Sequence, residues 1–225
     1  MTEKPSVSSH LKIPLEEYDA RIRTFIPFYE EMLGEVGMAV SSLAVNEPTI
    51  LDLGIGTGAL AEACLNARPE GRLIGIDSDP EILKMARLRF RDRPGLDLRV
   101  GSFLELDFPR SDLIVASFSL HHIPEPKIKR DLFVRCREAL GETGALVMAD
   151  CFPSADEEVA EEGRRAWRSH LERFYSPEET RAYFDAWAEE DTHFPIEDEL
   201  EWLEEAGFET NVVWRKDLFA VILSK

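Results

Sequence analysis

Three features of this 225-residue sequence predict an α/β domain doubly wound around a mostly parallel sheet. Short apolar segments alternate with helical patterns from Thr49 to Ala149, and such alternation needs crossover connections that bury a parallel sheet between helices. A glycine-rich turn, Gly54-Ile55-Gly56-Thr57-Gly58, follows the first apolar segment. Near the end, two strand candidates are linked by Lys216-Asp217 alone, too short for a crossover, so that pair is an antiparallel hairpin.

In chain order, residues 1–14 read as a flexible tail. Ile22, Phe25, Ile26, Tyr29, Met32, Leu33 and Val36 then recur at helical spacing, so a helix or helix pair precedes the sheet, broken or restarted at Pro27. Thr49–Leu53 is the first strand, and Ala59, Leu60, Ala63, Cys64 and Leu65 mark the helix after the glycines. Arg72–Asp77 is the second strand; Ser78 and Glu81 behind it have capping-box spacing. Leu98–Val100 and Asp112–Ser117 are the third and fourth strands. Lys127–Leu140 reads as a helix stopped near Gly141, with Ala145–Ala149 as the fifth strand. Glu157–Leu171, Pro177–Glu190 and Ile196–Ala206 are helical, and Thr210–Arg215 with Leu218–Leu223 form the hairpin. One domain therefore spans residues 15–225, with helical caps near 15–45 and 154–195, the second inserted after strand 5.

Composition narrows the function. With 44% hydrophobic and 31% charged residues, the chain has a globular rather than a disordered makeup. The formal charge is −18, and residues 154–209 hold nineteen acidic against five basic side chains. A surface of that sign repels phosphate backbones, which argues against nucleic acid as a partner. The acid-rich stretch is read as a solvated helical face, its Arg164, Arg165, Arg168 and Arg173 paired among glutamates. No apolar run approaches the roughly 20 residues that cross a bilayer, and residues 1–10 carry no apolar leader core. Cys64, Cys136 and Cys151 have neither metal-binding nor disulfide spacing, so a cytoplasmic protein without a metal site is expected.

The glycine turn is the main functional signal. Glycines at a strand-to-helix turn allow positive φ and close approach of backbone to a ligand, and a helix N-terminus offers unpaired N–H groups. Asp77, nineteen residues beyond Gly58, ends the second strand, where a carboxylate can accept bonds from both hydroxyls of a ribose. Gly54, Gly56 and Ala59 also satisfy the dinucleotide spacing, and Asp77 suits NAD equally well. The extra Gly58, the terminal hairpin and the helices before strand 1 shift the balance away from NAD.

The string ILDLGIGTG at Ile50–Gly58, with Asp77 ending the next strand, resembles the cofactor signature of class I S-adenosylmethionine-dependent methyltransferases. The likeness runs from about Ile22 to Leu223 and implies a Rossmann-like seven-stranded sheet of order 3-2-1-4-5-7-6 with strand 7 antiparallel. It also implies S-adenosyl-L-methionine as cofactor, methyl transfer as the activity, and a small-molecule acceptor. By the same likeness Gly54, Gly56 and the adjacent backbone cradle the methionine part of the cofactor, Asp52 is a further cofactor-binding residue, Asp77 holds the ribose, and Ser78 sits beside it. Ser102 occupies a place where such enzymes often present an acid to the adenine, leaving that contact to the Phe103 backbone, and Ser117 lies along the sulfonium. FSLHHIPEP at Phe118–Pro126 resembles the motif after strand 4, which puts His121 and His122 at the active-site mouth.

FIPFYEEML at Phe25–Leu33 and the terminal GFETNVVWRKDLFAVILSK resemble small methyltransferases related to carboxy-S-adenosylmethionine synthase, in which a tyrosine matching Tyr29 touches the cofactor. Carboxy-transferring members use an arginine where this chain has Tyr183-Phe184, with Arg181 the nearest candidate, a departure that favours an ordinary methyl donor. Methyl transfer from a sulfonium demands mainly alignment in a dry pocket. Tyr18, Tyr29, His121, His122 and Trp167 are the expected pocket residues, with His121 a base or an orienter of the acceptor. A cofactor-binding sensor or scaffold is the non-enzymatic alternative. The outer helices are candidates for homodimer pairing, although no heptad run specifies it.

Overall fold

The computed structural model describes Pro14 and residues 17–225, so the expected tail lies outside the described residues apart from Pro14. Among the described residues seven strands form one sheet: β1 Thr49–Leu53, β2 Arg72–Asp77, β3 Leu96–Val100, β4 Ser111–Ser117, β5 Leu140–Cys151, β6 Thr210–Lys216 and β7 Phe219–Ser224. Their order is β3-β2-β1-β4-β5-β7-β6. All neighbours from β3 through β5 run parallel, while β7 is antiparallel to both β5 and β6. The inferred hairpin and strand order are therefore both present.

Strand alternation builds two cores. Ile50, Leu113, Val115, Ala145, Val147 and Val221 face one side; Leu51, Leu53, Ile114, Ala116, Leu146 and Ile222 face the other. Helices α1 Tyr18–Phe25, α2 Tyr29–Ser41, α3 Ala59–Ala67 and α4 Pro80–Arg89 cover the first side. Helices α5 Pro126–Ala139 and α8 Ile196–Glu205 cover the second. The insert after β5 supplies α6 Glu157–Leu171 and α7 Pro177–Glu190, whose Trp167, Leu171 and Trp187 join the first core. Among the described residues no helix is long and apolar enough to cross a membrane.

Several boundaries differ from expectation for local physical reasons. Ser78 does not cap α4: Asp79 is the N-cap, its carboxylate accepting the Glu81 amide at 2.8 Å, and Pro80 takes the first helical position. Strand β5 starts at Leu140, directly after α5, because Leu140 pairs with Ser111 across an irregular register before regular pairing resumes at Ala145. The β6–β7 link is Asp217-Leu218, one residue later than expected, with Asp217 left-handed at φ 51°. Pro27 separates α1 from α2 as expected.

One buried pair joins α5 to α8. The Lys129 ammonium donates to Glu199, and both side chains are almost wholly buried. Burial drives the Glu199 carboxyl up to about 7 even though Lys129 pulls it down.

Candidate active site

A cavity of about 500 Å³ opens at the carboxyl ends of β1, β2 and β4, where doubly wound sheets bind their ligands. Gly54, Gly56 and Gly58 all have positive φ, at 78°, 56° and 90°. A Cβ on Gly54 would lie 2.5 Å from Cβ of Ser119, so the first turn and the segment after β4 approach as closely as backbone allows. The amides of Gly54 and Ile55 both donate to the Ile76 carbonyl, and that of Gly56 donates to Asp77 Oδ2 at 2.9 Å. These three amides are thus spent on β2, and the glycines serve close approach rather than N–H donation.

Asp77 is tethered on both oxygens, Oδ1 accepting from the Asp79 amide at 2.9 Å and Oδ2 from Gly56. Each oxygen keeps a lone pair for a ligand hydroxyl. Burial raises the Asp77 pKa, and the two amide donors oppose that rise. Helix α1 is fixed over the loop through Asp19, which accepts from Thr57 Oγ1 at 2.6 Å and pairs with Arg89. That docking brings Tyr18, Ile22 and Phe25 onto the cavity wall, joined by Tyr29 of α2. Burial, reinforced by neighbouring carboxylates, keeps the Tyr18 phenol protonated.

The other end of the cavity is aromatic and histidine-rich. Phe118 is left-handed at φ 48°, an uncommon state for a bulky side chain. It turns the chain beyond β4 into a short 3-10 turn, Leu120–His122, aimed at the end of β5. His121 Nδ1 lies 2.8 Å from Asp150 Oδ1; the carboxylate accepts and Nδ1–H donates, which leaves Nε2 for the cavity side. Burial lowers the His121 pKa, but Asp150 and Asp191 more than reverse this and hold it above the ordinary histidine value. The Thr192 amide donates to the His121 carbonyl at 2.8 Å, carrying Asp191 and His193 to the same place. Trp167 stacks on Trp187 with centroids 5.4 Å apart and donates from Nε1 to the Phe25 carbonyl at 2.7 Å.

Of the residues expected from the sequence, Tyr18, Tyr29, Gly54, Gly56, Asp77, Ser78, Ser102, Phe103, Ser117, His121, His122 and Trp167 line this one cavity. Asp52 does not. It points from β1 into the helix-covered core on the side of Ile50, and neither carboxylate oxygen has a hydrogen-bond partner. Burial, then the nearby Asp77 charge, raises its pKa well above the ordinary carboxylate range. Arg181 lies elsewhere, in an outer hollow with Arg168, Glu172 and Phe184. Sequence reasoning missed Trp187, Asp191 and His193 on the wall and Asp150 behind it. Asp191 and His193 lie in a loop with no local motif, and only tertiary contact reveals them.

Asp52→Asn follows as a test of that burial. A carboxyl whose folded pKa is raised loses stability for the fold as pH climbs through that pKa. The variant is expected to melt higher than the parent, by more at about pH 8 than at about pH 5. An equal or lower melting temperature at both would contradict it.

S-adenosylmethionine, the cofactor implied by the resemblance, fits this arrangement. The volume lies within the roughly 300–1,000 Å³ of small-molecule sites. A doubly tethered carboxylate for a ribose, glycines that leave room beside β1, and a largely apolar wall are all present.

Comparison with known proteins agrees with this architecture. Residues 50–144 match a methyltransferase domain model. A carboxy-S-adenosyl-L-methionine synthase from Pectobacterium atrosepticum is 27% identical over 148 residues, 62% of this chain and 58% of that protein. The match thus spans less than two thirds of that relative's length. A synthase of the same name from Helicobacter hepaticus is 26% identical over 92% of this chain and 90% of its own. Human N-acetylserotonin methyltransferase, solved with SAM, superimposes with a TM-score of 0.58 at 21% identity. That superposition covers 96% of this chain and 61% of the human one.

Proposed function

We propose that this chain, similar over residues 50–144 to a methyltransferase domain and along much of its length to carboxy-S-adenosyl-L-methionine synthases, is a class I S-adenosylmethionine-dependent methyltransferase that transfers a methyl group from that cofactor to a small acceptor. One observation carries the reading: a single cavity joins the Asp77–glycine end to the Trp167, Trp187 and His121 end. A cofactor and an acceptor therefore share one enclosed space, as in-line transfer demands.

When bound, the cofactor supplies an activated methyl on a sulfonium; the chain's own residues bind, align and exclude water. Asp77 accepts from the ribose hydroxyls. Gly54 and Gly56 admit the amino-acid portion beside β1, and Ser102 and Phe103 border the adenine. Tyr29 and Phe118, with ring centroids 6.0 Å apart, flank the passage from the glycine loop towards His121. The apolar aromatic wall suits a planar acceptor, which His121, steadied by Asp150, orients from its free edge.

The curated relatives raise a carboxylated cofactor as a second reading. The described residues that line the cavity include no lysine or arginine to receive the extra carboxylate, and Arg181 stands in the outer hollow. An ordinary methyl donor is the better match. The extension of the cavity past the cofactor end likewise favours turnover over a passive sensor.

Incubating the chain with methyl-labelled S-adenosylmethionine and fractionated cell extract tests this reading. Label is expected in a small, flat hydroxylated or amine compound, and none in nucleic acid. With an acceptor in hand, His121→Asn is expected to lower kcat about tenfold, while leaving S-adenosylhomocysteine affinity within about twofold. Unchanged kcat would remove His121 from the acceptor's path.

A further inference from the structure

The histidines and carboxylates at the acceptor end are more numerous than acceptor orientation alone needs. His121, His122 and Asp191 each present a donor atom, and these three atoms lie within 4.8 Å of one another. Asp191 Oδ1 is 3.1 Å from His122 Nδ1 and 3.7 Å from His121 Nε2. That oxygen is buried and has no aligned hydrogen bond. All three residues are on the cavity wall. Behind them, Asp150 fixes His121 through Nδ1, the relation in which a carboxylate orients a metal-ligating imidazole and leaves Nε2 as the donor.

We propose that His121 Nε2, His122 Nδ1 and Asp191 Oδ1 bind a divalent first-row transition-metal ion facing the acceptor. This departs from the metal-free expectation drawn from the cysteines, and it deepens the proposed function, on which it rests, by naming what His121 holds. Two imidazole nitrogens and one carboxylate are a donor set for zinc, iron, manganese or cobalt rather than for calcium or magnesium. Two such carboxylates, Asp150 and Asp191, balance a dication. The nearby Lys129 ammonium is taken up by Glu199. His193 packs beside the cluster, its ring 5.1 Å from that of His121.

A second grouping, His121 with Asp150 and His193, meets the same distance criterion. Asp150 is the weaker candidate ligand because its Oδ1 already accepts from His121 and from the Cys151 amide at 2.8 Å. It also lies behind the cavity wall. With three protein ligands the proposed ion keeps open positions toward the cavity. The acceptor class that fills them bears a hydroxyl or phenolic oxygen able to coordinate.

Cobalt(II) chloride is the probe. The full chain, without an affinity tag and stripped by chelator, is titrated with it, and visible d–d absorption reports nitrogen–oxygen coordination. One equivalent is expected to bind, displaced by zinc. His122→Gln and Asp191→Asn should each weaken binding at least about tenfold, and Asp150→Asn by about the same as an outer-shell partner. His170→Gln, a partly buried histidine elsewhere on α6, should leave binding unchanged. His122 is half-exposed, so its variant keeps the fold even if Asp191→Asn does not. Absence of saturable binding below about 1 mM, or stoichiometric binding that His122→Gln does not weaken, overturns the proposal. S-adenosylhomocysteine calorimetry on the same preparations reports separately on the cofactor reading, so the two fail independently.

Discussion

Asp77→Ala is expected to weaken S-adenosylhomocysteine binding by more than about 100-fold, because two charge-assisted hydrogen bonds to ribose hydroxyls are lost, each worth roughly 1.5–3 kcal/mol. The carboxylate acts at two levels. Its oxygens face the cavity, and they also accept from the Gly56 and Asp79 amides, which fix the glycine turn and the start of α4. Alanine removes both functions. Asp77→Asn keeps one acceptor oxygen and is expected to lose less, about tenfold, with a melting temperature between those of the parent and Asp77→Ala, since one of the two backbone amides loses its acceptor. Calorimetry of the three proteins separates the roles. Equal affinity in all of them would dissociate Asp77 from the ligand.

The largest stability effect is expected at Lys129. It and Glu199 are 2% and 1% exposed, on α5 and α8, and the second Glu199 oxygen has no partner. Lys129→Met strands a buried carboxylate, a change that costs about 3–5 kcal/mol. For a chain of this length that corresponds to a Tm lower by roughly 6–20 °C. Replacing both residues, Lys129→Met with Glu199→Leu, removes the stranded charge and should restore most of the loss. Glu199 has a folded pKa of about 7 against an ordinary value of 4.5, so the folded state holds the extra proton between them. Stability from this group is therefore lost as pH rises through that window. Without Lys129 its folded pKa climbs further, and the deficit should be greater at about pH 8 than at about pH 5. A single variant that melts with the parent would show that the pair does not hold α8 to α5.

The parts that were legible in the sequence are those governed by short-range rules. A two-residue link cannot support a parallel crossover, so the β6–β7 hairpin was readable from residues 210–223. Three glycines after an apolar strand forecast positive φ, and all three have it. Tyr18 and Trp167, both expected at the pocket, are far apart in sequence yet line the same cavity.

What escaped depends on long-range packing or on a choice between neighbours. Ser78 and Asp79 both qualify as caps, and Asp79 takes the role because Pro80 follows it at the first helical position. Asp52 lies two residues before the first cavity-lining glycine, but strand alternation sends its side chain into the core beside Ile50. Asp191 and His193 carry no motif. They reach His121 because the loop after α7 is bound to it through the Thr192 amide. The free amides expected at the glycine turn are absent at residues 54–56 because β2 and Asp77 satisfy them.

Isothermal titration of the purified chain with S-adenosylhomocysteine, S-adenosylmethionine and NAD tests the central claim most directly. Both adenosyl ligands are predicted to bind at one site per chain with micromolar or tighter dissociation constants, and NAD not to bind. Saturable binding of NAD alone would contradict the account.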